Sequence, residues 1–308
     1  MKKLIALLVA LVLALTCAVA LAEEEDEENY ETGDAALDLV RNEDGIGEKE
    51  LLVVSFGTSF NDSRRLTIGG IEAAIDEAVD DYDVRRGFTA QIIIDHVERR
   101  DGVHIDNVKE ALDRAVANGV RTLVVQPTHL MHGYEYDELM ETLAGYADAF
   151  EQVVVGEPLL TSDEDFDRVA DILIDIAGAY DDGDTAIVYM GHGTEHEYNK
   201  VYAQMQDVLT EKGAENYYVG TVEAEPSLED VMDAIAGKGY TRVVLRPMMV
   251  VAGDHANNDM AGDEADSWKT ILTDAGYEVE CVLEGLGQVP GIQAIYVEHA
   301  LAAIAEVE

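Results

Sequence analysis

The sequence predicts an α/β protein of two similar lobes, each a parallel sheet flanked by helices, with a cleft between them. Three observations carry this. From residue 51 onward, short apolar runs alternate with helical periods, the pattern of a parallel sheet covered on both faces. The chain also repeats itself: Pro127 and Gly133 are matched by Pro247 and Gly253, 120 residues further on. Its 308 residues suffice for two such lobes with a sizeable core.

The elements follow in order. Residues 1–22 read as a secretory signal peptide: Lys2 and Lys3, an apolar stretch from 4 to 18, then Ala20-Leu21-Ala22 before Glu23. The apolar stretch is short for a membrane span, and Thr16 does not suit acylation of Cys17. Export to the periplasm or another extracytoplasmic space is expected, with the protein not membrane-spanning. Cleavage would leave Cys281 alone, so no internal disulfide is expected. Residues 23–48 start as a charge run, "EEEDEENYETGD", and read as an acidic flexible leader. An N-terminal lobe is expected over 49–180 and a C-terminal lobe over 181–308. Strands are predicted at 51–56, 122–126, 153–155, 186–190, 217–220, 243–245 and 277–283. Helices are predicted at 62–79, 105–117, 135–149, 163–179, 197–209, 228–236 and 261–274, with a closing helix at 289–307.

Charge narrows the partners. Lys and Arg number 20 against 64 Asp and Glu, a net −44, and loss of the two leader lysines makes it −46. Such a surface repels nucleic acid and anionic lipid. No GxxxxGK[ST] loop occurs, which argues against ATP or another nucleotide as cofactor. GxSxG and HExxH are absent as well. Cys281, inside an apolar run, reads as packing rather than as a nucleophile.

The internal repeat is most informative where it fails. "LLVVSFGTSF" pairs with "AIVYMGHGTE", and Phe56 stands where the second half has His192. Ala90 stands opposite Glu223, and Glu135 opposite His255. Each second-half residue follows an apolar strand run, so all three converge on one sheet edge, where ligands collect in such folds. Any one of them alone reads as a structural histidine or a helix-terminus carboxylate, and Asp254 and Asp259 as loop caps. Together, in one half only, they read as a site. Two imidazoles and a carboxylate suit a divalent first-row metal, with a coordination position left open. His129 and His132 occupy the equivalent edge of the first lobe. His96, His104, His196 and His299 read as surface or helix residues.

Six stretches resemble one family: "SFGTSFNDSRRLTI", "ERRDGVHIDNVKEAL", "VVQPTHLMHGYEYDEL", "YMGHGTEHEYN", "VGTVEAEPSLEDV" and "RPMMVVAGDHANNDMAGDEADSWK". The chain is similar, from about residue 49 to its end, to the anaerobic sirohydrochlorin cobaltochelatases. These are single-chain, ATP-independent tetrapyrrole chelatases related in fold to ferrochelatase. The resemblance implies insertion of Co2+, with Fe2+ as the second candidate, into sirohydrochlorin or a related tetrapyrrole held between the lobes. It implies His192, Glu223 and His255 as metal ligands. The family often has Gly-Tyr after the GTVE glutamate, whereas Ala224-Glu225 follow here, which bears on the shape of the tetrapyrrole pocket.

From the chemistry of insertion, His192 and His255 are the expected catalytic residues, with His192 taking pyrrole protons. Arg64, Gly57, Thr58, His129 and His132 are the expected substrate-binding residues, with Arg65 and Arg246 as further cations for the ring's acidic side chains. The same three ligands would serve an exported metal or tetrapyrrole carrier without turnover, and, more remotely, a zinc hydrolase. A homo-oligomer is compatible with the sequence.

Overall fold

The computed structural model describes residues 32–307, so the signal peptide and the start of the acidic leader lie outside the described residues. Asp34 onward forms one compact unit. Among the described residues there are two four-stranded sheets, both wholly parallel. The first contains β1 (Lys49–Ser55), β2 (Asp83–Phe88), β3 (Thr122–Pro127) and β4 (Gln152–Val155), in the order β2-β1-β3-β4. The second contains β5 (Thr185–Gly191), β6 (Tyr217–Thr221), β7 (Arg242–Pro247) and β8 (Glu278–Cys281), in the order β6-β5-β7-β8. The orders are the same and β3 and β7 are offset by 120, so the repeat in the sequence is a repeat in topology.

The central strands are continuous apolar runs, as burial on both faces requires; β5 is buried at every position. The helices are α1 (Asn61–Leu66), α2 (Ile68–Ala78), α3 (Gln91–Asp101), α4 (Val108–Asn118), α5 (Tyr134–Ala144), α6 (Asp163–Ala177), α7 (Lys200–Glu211), α8 (Leu228–Ile235), α9 (Trp268–Asp274) and α10 (Pro290–Ala305). Ser227 caps α8 as its sequence suggests, in a reciprocal capping box with Asp230. The helix expected over 62–79 breaks at Thr67, whose hydroxyl donates to the Ser63 carbonyl at 2.6 Å.

Two helices are exchanged between the sheets, which corrects the simple division at residue 180. Helix α6 follows the first sheet but covers the second: the Tyr189 hydroxyl of β5 donates to Leu173 O at 2.6 Å. Helix α10 follows the second sheet but packs on α2 and β3 of the first, where the Tyr296 hydroxyl donates to Thr128 O at 2.8 Å. Arg168 and Glu298 pair the two crossing helices, as do Asp165 and His299. One apolar core therefore runs from Leu51 and Val53 through Ile187 and Tyr189 to Tyr296 and Ala300. This fixes the lobes relative to each other.

The described part of the leader is not a free tail. The Asp38 side chain is only 4% exposed and accepts from Arg64 Nε at 2.7 Å and Arg86 Nη1 at 2.7 Å. Arg86 in turn is bidentate to Glu72, at 2.7 Å on each oxygen. Burial alone would raise the Asp38 carboxyl, but hydrogen bonds and charge from Arg86 and Arg64 hold it below the usual carboxylate range. Strand β2, "DVRRGF", escaped the sequence reading because its arginines hide it; Arg86 is 1% exposed with its charge wholly paired.

Candidate metal-transfer site

Each lobe turns the carboxyl ends of its strands into loops, and those of the second sheet carry the three expected ligands. Strand β5 ends at Gly191 with the Tyr202 ring lying directly on it, and His192 is the next residue. The backbone then joins two of the ligand loops: Glu223 N–H donates to the His192 carbonyl at 2.9 Å. The turn beyond Glu223 is tight, with the Thr221 hydroxyl donating to Ala224 O at 2.6 Å. Ala224, at the position of the departure noted above, lies against Gly193. His255 follows β7 and opens a π-helical turn over Ala256–Met260. Asn257 donates back to Gly253 O at 2.7 Å and Asn258 to Asp254 at 2.7 Å, which holds that turn in place.

The side chains meet. The His192 and His255 rings are 4.5 Å apart and nearly perpendicular. His192 Nε2 lies 3.9 Å from Glu223 Oε2. One donor atom from each of the three residues lies within 4.8 Å of the other two. The tautomers are set by neighbours. His192 Nδ1 is 2.6 Å from its neighbour's carbonyl, Gly193 O, and so must donate there. His255 Nδ1 is 2.6 Å from Asp259 Oδ2. Both imidazoles therefore keep the Nε2 lone pair for the site. Asp259 orients His255, a role beyond the loop cap its sequence suggests; its i+4 spacing from His255 was the available signal.

The site is open to solvent, with the His192, Glu223 and His255 side chains 45%, 55% and 32% exposed. The first lobe closes one side. Ser63 accepts from Ala252 N–H at 3.0 Å. Gly253, two residues before His255, packs on the Thr58 hydroxyl so closely that a Cβ would stand 2.9 Å from it. Thr58 thus adjoins the site, while Gly57, at φ +105 against the Phe88 ring, needs to be glycine for the fold.

The three expected cations are engaged elsewhere. Arg64 is fully buried, its donors turned to Asp38, Asn61 and Thr58 O, so it supports the Thr58 loop and does not face substrate. Arg246 is 2% exposed and paired with Glu284 at 2.7 Å. Arg65 pairs with Asp62 along its own helix. His132 contacts Glu157 at 2.8 Å and lies beside Tyr136 and Tyr198. His196 reaches across the lobes to Asp137 at 3.3 Å, a bridging position its sequence did not reveal.

The ring nitrogens of His129 are shielded and meet no partner among the described residues. Burial pushes this histidine down to about 4. Between about pH 6.5 and 4 the unfolded chain therefore binds a proton that the folded chain does not, so this group's contribution falls with acid, by roughly 3 kcal/mol in all. Glu50, raised by burial to about 8, has the opposite sign. The quantity to read is thus a difference: denaturant stability of wild type should lose ground relative to His129→Gln as pH drops from 6.5 to 4. A constant difference would show that His129 is charged in the folded protein.

The sequence profile of the family described as cobalt chelatase (CbiK) matches residues 49–305. The sirohydrochlorin cobaltochelatase of Salmonella typhimurium is 35% identical over 259 residues, 83% of this chain and 97% of that protein. Sirohydrochlorin cobaltochelatase CbiKC of Nitratidesulfovibrio vulgaris is 29% identical, covering 85% of this chain and 92% of its own length. Among solved structures, SirB from Bacillus subtilis shares the fold at a TM-score of 0.58 and 12% identity, over 85% of this chain and 97% of that one. With the profile matched across both sheets and the Salmonella relative aligned over nearly its whole length, the chain belongs to the CbiK family of cobalt chelatases.

Proposed function

We propose that this protein inserts Co2+, with Fe2+ as a second metal, into sirohydrochlorin without ATP, after export from the cytoplasm. The observation that carries the reading is the pair of Nε2 lone pairs, fixed by Gly193 O and Asp259, that converge with Glu223 on a solvent-open point. Three ligands bind a divalent ion while leaving it positions for incoming pyrrole nitrogens. The ion sheds water as it arrives and passes to the ring. Two pyrrole N–H protons must leave as the metal enters. His192 Nε2 takes one as its metal bond breaks, and the Glu223 carboxylate beside it is placed for the other. Thr58 and His132, and His129 as a neutral imidazole, are retained as macrocycle contacts. The absence of a phosphate loop in the sequence supports the ATP-independent reading.

The test is an anaerobic absorbance assay with sirohydrochlorin and Co2+ or Fe2+. Many turnovers per chain are expected. A spectral change that stops at one equivalent would replace the enzyme by a carrier. Export rests on the sequence of residues 1–22. Mass spectrometry of the protein from its native cells should find Glu23 as the first residue; an intact Met1–Lys2–Lys3 terminus would refute processing.

A further inference from the structure

A second donor set lies on the first lobe, apart from the three ligands above. His104 stands in the extended segment between α3 and α4. Its Nε2 is 3.4 Å from Asp106 Oδ1 and 3.7 Å from Glu110 Oε2. One donor atom of each of these three residues lies within 4.8 Å of the other two. Nitrogen and oxygen donors bound at ~2.0–2.2 Å around a tetrahedral ion stand about 3.4 Å apart. The spacing here is therefore closer to a metal-bound geometry than the 3.9 Å between His192 and Glu223.

The set is built on fixed backbone. Asp106 is 2% exposed, and its carbonyl accepts the Phe88 N–H of β2 at 2.9 Å. Arg114 holds its carboxylate, with Nε on Oδ2 at 2.6 Å and Nη2 on Oδ1 at 3.1 Å. Each carboxylate oxygen has more than one lone pair, so Oδ1 remains able to bind an ion. Glu110 is held by the capping box of α4, accepting from Asn107 N–H at 2.9 Å. The His104 carbonyl accepts from Asn42 at 3.3 Å. On the far side of the imidazole, Glu98 Oε2 lies 3.5 Å from Nδ1. A carboxylate on that side of the ring favours the tautomer that offers Nε2, in the place that second carboxylates take behind metal-bound histidines. Arg114 pairs with Asp106 and Asp44, while Glu98 and Glu110 lie on either side of His104, so the four carboxylates of this cluster outnumber its one guanidinium.

We propose that His104, Asp106 and Glu110 form a second divalent-metal site, with Glu98 orienting the imidazole. One imidazole with two carboxylates selects first-row ions such as Zn2+ and Co2+ over Mg2+. Half the His104 and Glu110 side chains are exposed, so the remaining positions are filled by water and the ion exchanges with solution. The proposal does not depend on the chelatase reading, because its readout is bound metal and not turnover.

The experiment is Co2+ binding by calorimetry and metal analysis after dialysis, in about 0.15 M salt to screen loose attraction to the acidic surface. A His192→Ala/His255→Ala protein should still bind one Co2+ per chain. Adding His104→Ala should weaken that binding at least tenfold, and adding Glu110→Gln instead should do the same while keeping the helix cap. Matching melting curves would show that the fold is kept. If the double-alanine protein binds no stoichiometric Co2+, or binds it equally with and without His104 and Glu110, the second site does not exist.

Discussion

His192→Ala and His255→Ala should both cripple Co2+ insertion, but in different ways. His255 has its Nδ1 committed to Asp259 and offers only Nε2, so the role proposed for it is to hold the ion. Its loss should raise the Co2+ requirement by more than the ten- to hundredfold expected of a residue behind a ligand, and excess Co2+ should restore part of the rate. Asp259→Asn is the graded case: the ligand remains but its tautomer is no longer enforced, and affinity should drop about ten- to hundredfold. His192 is proposed as both ligand and proton acceptor. Its loss should lower kcat by roughly a hundred- to ten-thousandfold, and added Co2+ should not restore it. Steady-state rates across a Co2+ titration distinguish the three. Equal rescue of both alanine variants by Co2+ would remove His192 from proton transfer; no effect of Asp259→Asn on the Co2+ dependence would mean the His255 tautomer does not matter.

How much of this was legible depends on the range of the interaction. The convergence of His192, Glu223 and His255 was visible because each follows an apolar run, and because the repeat supplied its own comparison: Phe56, Ala90 and Glu135 stand at the matching positions of the first half. The capping of α8 was visible because Ser227 directly precedes the helical period that starts at 228. What was hidden is nonlocal. Arg64 looked like a free cation near a strand edge, yet its partner Asp38 comes from the acidic leader, 26 residues away. Arg86 hid strand β2 for the same reason: a charged strand residue reads as surface until Glu72 and Asp38 are seen around it. The exchange of α6 and α10 could not be read either. An apolar helix face states that it is buried, not which of two equivalent sheets buries it.

Gly193→Ala should uncouple the site without removing any ligand. Gly193 sits at φ +86, and an added Cβ would stand 2.8 Å from Ala224 N and 2.9 Å from Thr221 Cβ. Those atoms belong to the turn that carries Glu223. The residue also fixes His192, whose Nδ1 donates to the Gly193 carbonyl, while its own N–H donates to the Tyr202 hydroxyl at 3.3 Å. A methyl group there must push the His192 loop and the Glu223 turn apart, which lengthens the one ligand pair already at 3.9 Å. Displacements near 1 Å cost on the order of a hundredfold in rate when geometry is the catalyst's main contribution. Left-handed backbone at a non-glycine residue adds about 1–3 kcal/mol of instability. Gly183→Ala supplies the comparison, since Gly183 has φ +84 but nothing within 4 Å of its Cβ position. It should share the backbone strain, lower stability by a similar amount or less, and leave chelation unchanged. If the two variants lose activity alike, the loss follows from general destabilisation, and the contact between the His192 loop and the Glu223 turn has no part in presenting the metal.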